Sequence, residues 1–186
     1  MAIMKRKKLT AKPGLPPQSN KVISDNITPH GLIQLARDND ICVTPLDLNS
    51  LVKVLGIGLR IMPMNDQKSG YIKKEEGRWV IGVNSLHHPN RQRFTIAHEL
   101  GHYSLHRDQI GDGLEDSILF RADGYGAEGI EREANIFASE MLMPEGYFRE
   151  VVDEHGGDIK SIAKALQVSS LAVSIRAKNL GYKASK

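Results

Sequence analysis

Apolar residues recur at helical spacing in some segments of the chain and alternate with polar residues in others. Before the middle of the chain these patterns predict two helices, a short strand and a hairpin: 28–38, 45–54, 59–61, and 71–74 with 78–83. Thr28 caps the first helix and Pro29 fits its first turn, while Gly56 follows the end of the second. Pro63 ends the short strand or confines it to a sheet edge.

Helical spacing dominates the second half, where it predicts these segments: 91–105, 131–144 and a helical pair within 158–181. Asn90 can cap the first of these helices after Pro89 interrupts the preceding segment. Its apolar residues fall on two sides, which predicts a buried helix. Pro144 ends the next helix, and Ser117 to Arg121 is a possible strand between the two. Strands followed by helices predict an α+β fold.

The helix over 91–105 contains an HExxH motif, His98-Glu99-Leu100-Gly101-His102. The two histidines are four residues apart, about one turn, so their imidazoles project from one face and can bind one metal ion. Glu99 lies about 100° around the helix from His98, where a base for a metal-activated water belongs. Gly101 costs about 0.5–1 kcal/mol relative to alanine, so we expect a strand or the substrate to come close there.

A catalytic zinc site needs a third protein ligand and one open position. The next predicted helix begins with Glu131, which shares a face with Asn135 and with two alanines that allow close packing. This arrangement favours Glu131 as the third ligand and Asn135 as a residue that orients a ligating histidine. Glu133 is the alternative ligand, although its own face carries no obvious partner for a histidine.

Three parts of the chain share a further pattern: Ser69-Gly70-Tyr71-Ile72 with Arg78-Trp79-Val80-Ile81-Gly82-Val83-Asn84, Arg93 to His102 with His106, and Glu131-x-x-Ala134-Asn135-x-Phe137-Ala138-x-x-x-Leu142-Met143-Pro144. These parts resemble the strand hairpin, the zinc helix and the following helix of the ImmA/IrrE family of metallopeptidases. Phe120-Arg121 resembles a later short strand of that family. The resemblance covers roughly residues 28 to 180.

The resemblance implies a gluzincin-like zinc peptidase with a zincin-like core, in which a small, mainly antiparallel sheet packs on the HExxH helix. Carried over by position, it makes His98, His102 and Glu131 the metal ligands and Glu99 the catalytic base. The implied chemistry is hydrolysis of a peptide bond by metal-activated water, without a covalent intermediate. Zinc is the expected metal, although such a site also accepts Mn²⁺, Fe²⁺ or Co²⁺.

The resemblance also implies a location and a partner. Members are bacterial cytoplasmic proteins that cleave, or are proposed to cleave, helix-turn-helix repressors and so activate stress, mobile-element or toxin–antitoxin genes. We therefore expect a specific repressor or antitoxin-like regulator as the substrate. The alternative is a non-proteolytic, metal-containing regulatory module that binds a repressor, or binds DNA through its C-terminal helices.

The sequence does not identify the residue that stabilises the oxyanion, because spacing does not distinguish among four candidates: Tyr103, His106, Arg121 and Tyr125. We interpret His106 as a partner of a ligand, since three ligands plus water complete a catalytic site without a fourth side chain. The strand from Trp79 to Asn84 is our candidate for a sheet edge that holds an extended substrate. The glycine-rich segment 107–130 is our candidate for an active-site rim or lid.

Composition fits one domain with extensions, since the chain has 186 residues of which 40% are hydrophobic and 5% aromatic. We divide it into a basic, disordered tail over 1–21, a metallopeptidase domain over 22–150 and a C-terminal helical subdomain over 151–186. The net charge of +3 hides an asymmetry: residues 1–12 carry five basic and no acidic residues, and residues 159–186 carry six basic and none acidic. The body between these ends is therefore acidic.

Cys42 is the single cysteine and lies in a short apolar run, so we expect a buried structural thiol in a reducing compartment. The first apolar residues are interrupted by four consecutive basic residues and a proline, unlike a secretory signal. No stretch approaches the about 20 apolar residues of a membrane span. These features predict a cytoplasmic protein with no membrane partner.

The segment from Asp158 to Gly181 predicts two helices joined by a Gln-Val-Ser turn, the second capped by a serine. Its pattern resembles a DNA-binding helix-turn-helix, and its basic charge suits phosphate. An ordinary packing unit is the favoured interpretation, with these residues in its interface: Ile162, Leu166, Leu171, Ile175 and Leu180. We therefore expect the pair to dock on the body or to recognise the protein partner, ahead of binding DNA.

Overall fold

The computed structural model describes residues 27–117 and 125–182. Its elements follow in this order: α1 (Pro29–Asp38), α2 (Leu48–Val54), β1 (Gly58–Met62), β2 (Lys68–Glu75), β3 (Arg78–Asn84), α3 (Pro89–Leu105), β4 (Gly113–Ser117), α4 (Tyr125–Leu142), α5 (Glu145–Glu154), α6 (Ile159–Leu166) and α7 (Ser170–Asn179). A small sheet among helices is a mixed α and β fold, as the sequence predicts. The tail over 1–21 and the Phe120-Arg121 strand lie outside the described residues.

Side-chain caps determine where the first two helices begin. Thr28 Oγ1 accepts the Gly31 N–H at 3.0 Å, which confirms the predicted start of α1. The predicted start of the second helix at Pro45 is wrong, because α2 begins only after Asp47. The Asp47 carboxylate accepts the Ser50 N–H at 3.1 Å and so satisfies a backbone donor of the first turn.

The four strands form one sheet in the order β1-β3-β2-β4. β2 pairs antiparallel with β3 and with β4, whereas β1 runs parallel to β3, so the sheet is small and mainly antiparallel, as expected. The β2–β3 hairpin turns at Glu76 and Gly77, which have φ values of 50° and 78°. Two consecutive residues of positive φ are what a type I′ hairpin turn requires.

β3 is an inner strand of this sheet. Its residues pair with β1 on one side, where Gly58 lies opposite Val80, and with β2 on the other, where Ile72 lies opposite Ile81. The prediction that Trp79 to Asn84 forms a substrate-holding edge is therefore wrong, because both of its hydrogen-bonding sides are occupied. Within the described residues the edges of the sheet are β1 and β4.

α3 packs against the sheet and is buried from Thr95 to Ser104, as its two apolar sides predict. It begins at Pro89 with His88 as its N-cap, so the expectation of an Asn90 cap is wrong. His88 Nδ1 accepts the Asn90 N–H at 3.2 Å, and Pro89 needs no such partner because it has no N–H. Pro89 therefore starts this helix and does not interrupt the chain before it.

α4 packs along α3 at Gly101. A Cβ on Gly101 would lie 3.0 Å from Ala134 Cα and 3.3 Å from Ala134 Cβ. The expectation of a strand or a substrate at this glycine is therefore wrong, because α4 takes up the space. α4 also begins at Tyr125, earlier than the predicted Glu131, and Pro144 is the N-cap of α5.

The C-terminal pair forms as predicted, with Ser169 capping α7 through the Ala172 N–H at 3.1 Å. One hydrogen bond ties α7 to the body, because Arg176 Nε donates to Met143 O at 3.0 Å. Another ties the turn before α7 to α3, where an Asn90 side-chain N–H donates to Val168 O at 2.8 Å. These two contacts agree with docking on the body, one of the two alternatives that the sequence favours over DNA binding.

The predicted interface of α7 is partly wrong. Leu171 and Ile175 are 70% and 50% exposed, whereas Val173 and Arg176 are buried. The helix is rotated so that a basic residue faces the body, because the Arg176 guanidinium can satisfy the Met143 carbonyl there. Two large apolar side chains of α7 are consequently exposed, beside Ser174 and Lys178.

Cys42 is exposed, so the expectation of a buried thiol is wrong. Its neighbours Ile41 and Val43 are partly buried and pack against the core. Successive side chains of an extended segment point to opposite sides, which turns Cys42 outward between them. Separately, none of the helices in the described part of the chain is long and apolar enough to cross a membrane.

Candidate metal centre

Two histidines of α3 face the same small volume between α3 and α4. His98 and His102 lie about one helical turn apart, and their Nε2 atoms are 3.0 Å from each other. Their side chains are only 5% and 0% exposed. The HExxH spacing thus brings two imidazoles together in a buried position.

α4 brings Glu131 to the same point. Glu131 Oε2 lies 3.2 Å from His98 Nε2, and Glu131 Oε1 lies 3.3 Å from His102 Nε2. Burial raises the pKa of Glu131, but its contacts with His102 and His98 outweigh this and hold that pKa well below its usual range. Glu131 is therefore ionised and contributes a negative charge to the group.

The separations of these donor atoms fit one tetrahedral metal ion. Metal–nitrogen bonds of zinc are about 2.0–2.1 Å long, which places two tetrahedral ligand atoms about 3.3 Å apart. The three separations here are 3.0, 3.2 and 3.3 Å. Among the described residues, His98, His102 and Glu131 form a group whose ligand atoms lie close enough together to hold one metal ion.

The hydrogen bond of His98 on its other side determines where its proton lies. His98 Nδ1 lies 3.1 Å from Asn135 Oδ1, and an amide oxygen can only accept. His98 therefore carries its proton on Nδ1 and turns the lone pair of Nε2 toward Glu131. The contact between Asn135 and a histidine of the motif is the one that the sequence predicts.

A longer chain of contacts determines the proton position of His102. Its Nδ1 lies 3.1 Å from His106 Nδ1, and His106 Nε2 lies 3.0 Å from Glu133 Oε2. The Glu133 carboxylate accepts, so a neutral His106 donates from Nε2 and accepts on Nδ1. His102 must then donate from Nδ1, which turns the lone pair of its Nε2 toward Glu131.

These hydrogen bonds direct three electron-pair donors at one point. Two neutral imidazole nitrogens and a carboxylate repel one another unless a proton or a cation lies between them. Burial lowers the pKa of His102 and so disfavours its imidazolium form. A divalent metal ion is the group that this arrangement fits best.

Glu133 is where sequence reasoning missed an interaction. The sequence shows no obvious histidine partner for Glu133, yet Glu133 Oε2 contacts His106 Nε2 at 3.0 Å. The signal was present in the spacing, because His98 and His102 of α3 and His106 at its C-cap recur every four residues. Glutamates at two positions of the facing helix can therefore reach two different histidines.

Glu99 lies on the side of α3 that faces the sheet and is fully buried. β2 approaches it closely: a Cβ on Gly70 would lie 3.4 Å from Glu99 Oε1 and 2.5 Å from Thr95 Cγ2. Any side chain at position 70 would therefore displace either the strand or the helix. Gly70 keeps the sheet and the Glu99 carboxylate close to each other, next to the histidine pair.

The four candidates for stabilising an oxyanion have different surroundings in the structure. The Tyr103 ring contacts Trp79 edge-on, with centroids 5.9 Å apart, and the Arg107 guanidinium lies 4.8 Å from its centroid. His106 lies behind His102, with both ring nitrogens in hydrogen-bond contact. Arg121 lies outside the described residues, and only the backbone of Tyr125 is described.

An HExxH helix that meets a carboxylate from the following helix, beside a small sheet, defines the class of HExxH metallopeptidases. Residues 52–178 of the chain match the peptidase family described as "IrrE N-terminal-like domain". The chain belongs to this ImmA/IrrE family of metallopeptidases, as its motifs predict.

Curated relatives bear related names. The chain is 32% identical over 133 residues to "Radiation response metalloprotease IrrE" of Deinococcus radiodurans, an overlap of 69% of this chain and 38% of that protein. It is 27% identical over 139 residues to "Metallopeptidase ImmA" of Bacillus subtilis, an overlap of 72% and 78%. The chain thus spans well under half the length of the Deinococcus relative.

One solved structure shares the fold. A Mycobacterium tuberculosis transcriptional regulator matches this structure with a TM-score of 0.59 and 20% identity, over 81% of this chain and 46% of that one. At this level of identity the likeness concerns the fold alone.

Proposed function

We propose that this protein is a zinc-dependent endopeptidase with His98, His102 and Glu131 as metal ligands and Glu99 as general base. The observation that carries the proposal is the convergence of three donor groups within 4.8 Å of one another, beside the fully buried Glu99. Two imidazoles and one carboxylate leave one position of a tetrahedral ion for water, as catalytic zinc requires. Mn²⁺, Fe²⁺ and Co²⁺ remain acceptable to this donor set.

A bound zinc ion supplies the Lewis acidity that polarises the attacking water and the scissile carbonyl. Glu99 accepts the proton of the water on a carboxylate oxygen and then donates it to the leaving amine nitrogen. Asn135 and His106 hold the Nδ1 protons of His98 and His102, so that both Nε2 lone pairs stay directed at the centre. No covalent intermediate with the protein is needed.

We further propose that the core is zincin-like, formed by the sheet packed on α3, and that α6 and α7 are a helix-turn-helix-like pair. The order of elements, with the sheet packed on the helix that carries the HExxH motif, supports this description. The division into a tail over 1–21, a peptidase domain over 22–150 and a helical subdomain over 151–186 remains a prediction.

The proposed substrate is a specific helix-turn-helix repressor or antitoxin-like regulator in the bacterial cytoplasm. The relative named as a radiation response metalloprotease supports a role in stress regulation. The exposed side chains of Leu171 and Ile175 on α7 support a protein partner, because large apolar side chains at the surface suit contact with another protein.

Co-expression with a candidate helix-turn-helix regulator, sought first in the neighbouring reading frames, tests this proposal. We expect a single specific cut, and we expect Glu99→Gln to slow it by about 10²–10⁴-fold because the general base is lost. Zinc content of this variant should equal that of the wild type, since Glu99 is not a ligand. Glu154→Gln, which changes an exposed glutamate of α5, is the matched control and should cleave normally.

Wild-type cleavage by Glu99→Gln would refute the peptidase mechanism. A regulator that is bound and inactivated, but left intact, by both the wild type and Glu99→Gln would instead support the non-proteolytic regulatory module. If the isolated protein retarded DNA in a gel, the regulatory module would act by binding DNA.

A further inference from the structure

A buried histidine and an exposed glutamate extend the candidate metal centre beyond its ligands. His106 is 1% exposed and lies one turn beyond His102, and the Nδ1 atoms of the two rings are 3.1 Å apart. His106 Nε2 lies 3.0 Å from Glu133 Oε2, whose side chain is 57% exposed. The three side chains form a continuous chain from the surface of α4 to the inner face of α3.

We propose that Glu133 and His106 are positioning residues that hold His102 in its Nδ1–H tautomer and thereby set the affinity of the centre for zinc. This inference rests on the proposed function, because it concerns the same three ligands. Neither residue touches the metal or the substrate. Both act through the orientation and proton position of the His102 ring.

The geometry argues against a ligand role for His106. In an imidazole ring, Nδ1 and Nε2 point in different directions, and His102 uses Nε2 toward His98 and Glu131. His106 meets the opposite nitrogen of His102, so it lies behind that ring. Its own second nitrogen contacts Glu133. A ligand would instead need a ring nitrogen directed at the centre.

The Nδ1 atoms of the two proposed histidine ligands contact different kinds of hydrogen-bond partner. His98 Nδ1 contacts the neutral amide of Asn135, whereas His102 is supported by an imidazole that in turn contacts a carboxylate. A carboxylate at the end of the chain strengthens each hydrogen bond in it and makes His102 the more basic ligand. Loss of the Glu133 charge should therefore weaken metal binding even though no ligand is removed.

The first measurement is the zinc affinity of the purified full chain, by competition with a chromophoric chelator. Partners of metal-ligating histidines are typically worth 10–100-fold in metal affinity, so Glu133→Ala should weaken zinc binding by about that factor. Glu133→Gln loses the charge but keeps an amide oxygen that accepts from His106 Nε2, so its zinc affinity should lie between those of Glu133→Ala and the wild type. Glu140→Ala changes another exposed glutamate of the same helix, whose carboxylate lies 4.0 Å from Arg176, and should bind zinc as the wild type does.

The second measurement reads the tautomer directly in the metal-free protein, from ¹⁵N shifts of the imidazole rings at fixed pH. Wild type and Glu133→Gln should show His102 protonated on Nδ1. Glu133→Ala and His106→Ala should show a mixture of both tautomers. A role of Glu133 in fold stability alone would leave the His102 tautomer unchanged.

Wild-type zinc affinity and an unchanged His102 tautomer in Glu133→Ala would overturn the inference. Because neither measurement uses peptide cleavage, its failure is separate from that of the proposed function. If Glu99→Gln cleaved normally, the proposed peptidase mechanism would be wrong. The measurements on the Glu133 variants would still decide whether Glu133 and His106 position His102. If the wild type bound no zinc and showed no preferred tautomer, both would fail.

Discussion

Glu131 and Glu133 lie two residues apart on α4, yet each contacts a different part of α3. Side chains two positions apart on a helix point about 200° apart, so they cannot both reach one metal ion without bending the helix. Glu131 contacts His98 and His102, while Glu133, which is nearer the protein surface, contacts His106. Chemically identical side chains thus receive different roles from their helical positions.

The role proposed for Glu131 predicts a loss of metal in Glu131→Ala. Removing one of three protein ligands leaves two imidazoles, which cannot hold a tetrahedral zinc ion by themselves. Zinc bound per chain after dialysis, measured by atomic emission, should fall to well below one, a larger loss than in Glu133→Ala. Glu140→Ala should retain full occupancy. Full zinc content in Glu131→Ala would rule out this ligand assignment.

At the scale of elements, the centre depends on how closely α4 approaches α3. The two helices meet where Gly101 faces Ala134, and a Cβ on Gly101 would lie 3.2 Å from the Ala134 carbonyl oxygen. One turn before Ala134 is Glu131, and one residue after Gly101 is His102. The packing of two small residues therefore sets the distance between ligands from different helices.

Gly101→Ala should destabilise the protein, although alanine is the better helix former. The added methyl group meets the α4 backbone, and overpacking costs about 1–3 kcal/mol. That cost exceeds the gain in helix propensity of about 0.5–1 kcal/mol. Denaturant unfolding should report a lower free energy of unfolding, and chelator competition a weaker zinc affinity.

Gly146→Ala is the matched control for this substitution. Gly146 also lies in a helix, α5, and a Cβ there would meet no other atom within 4 Å. The gain in helix propensity should then appear alone, as an unchanged or higher free energy of unfolding. If Gly101→Ala behaved in the same way as Gly146→Ala, the packing argument would be wrong.

At the scale of the whole molecule, the C-terminal pair joins the body through the shared hydrophobic core and a few hydrogen bonds, and it leaves two large apolar side chains of α7 exposed. Arg176 and Asn90 make the hydrogen bonds across that junction. Leu171 and Ile175 of α7 are 70% and 50% exposed. A surface of this kind suits contact with another protein.

The double substitution Leu171→Ser with Ile175→Ser should therefore affect partner recognition more than stability. Exposed positions change the free energy of unfolding by about 0.5 kcal/mol or less each. Cleavage of the co-expressed regulator should slow, while zinc content and unfolding stay near those of the wild type. Lys178→Ala, on the same helix, should have little effect on cleavage. A large effect of Lys178→Ala on DNA retardation, with no effect of the double substitution, would favour DNA binding instead.

The sequence by itself determined the motif chemistry and the helices that bear it. His98 and His102 converge because four residues make about one helical turn, a local rule that needs no knowledge of the fold. The Thr28 and Ser169 caps and the β2–β3 hairpin also follow from local patterns, which is why their positions were predictable. Family membership followed from the same motifs.

Tertiary packing alone decided which groups meet across elements. The contact between Glu133 and His106, the approach of α4 at Gly101 and the inner position of β3 depend on residues far apart in sequence. The spacing of apolar residues identifies a face that is buried but not the element that it packs against. It therefore could not predict which side of α7 faces the body, or that the Cys42 side chain is exposed. Local patterns give each element its faces, whereas the pairing of those faces is a property of the whole core.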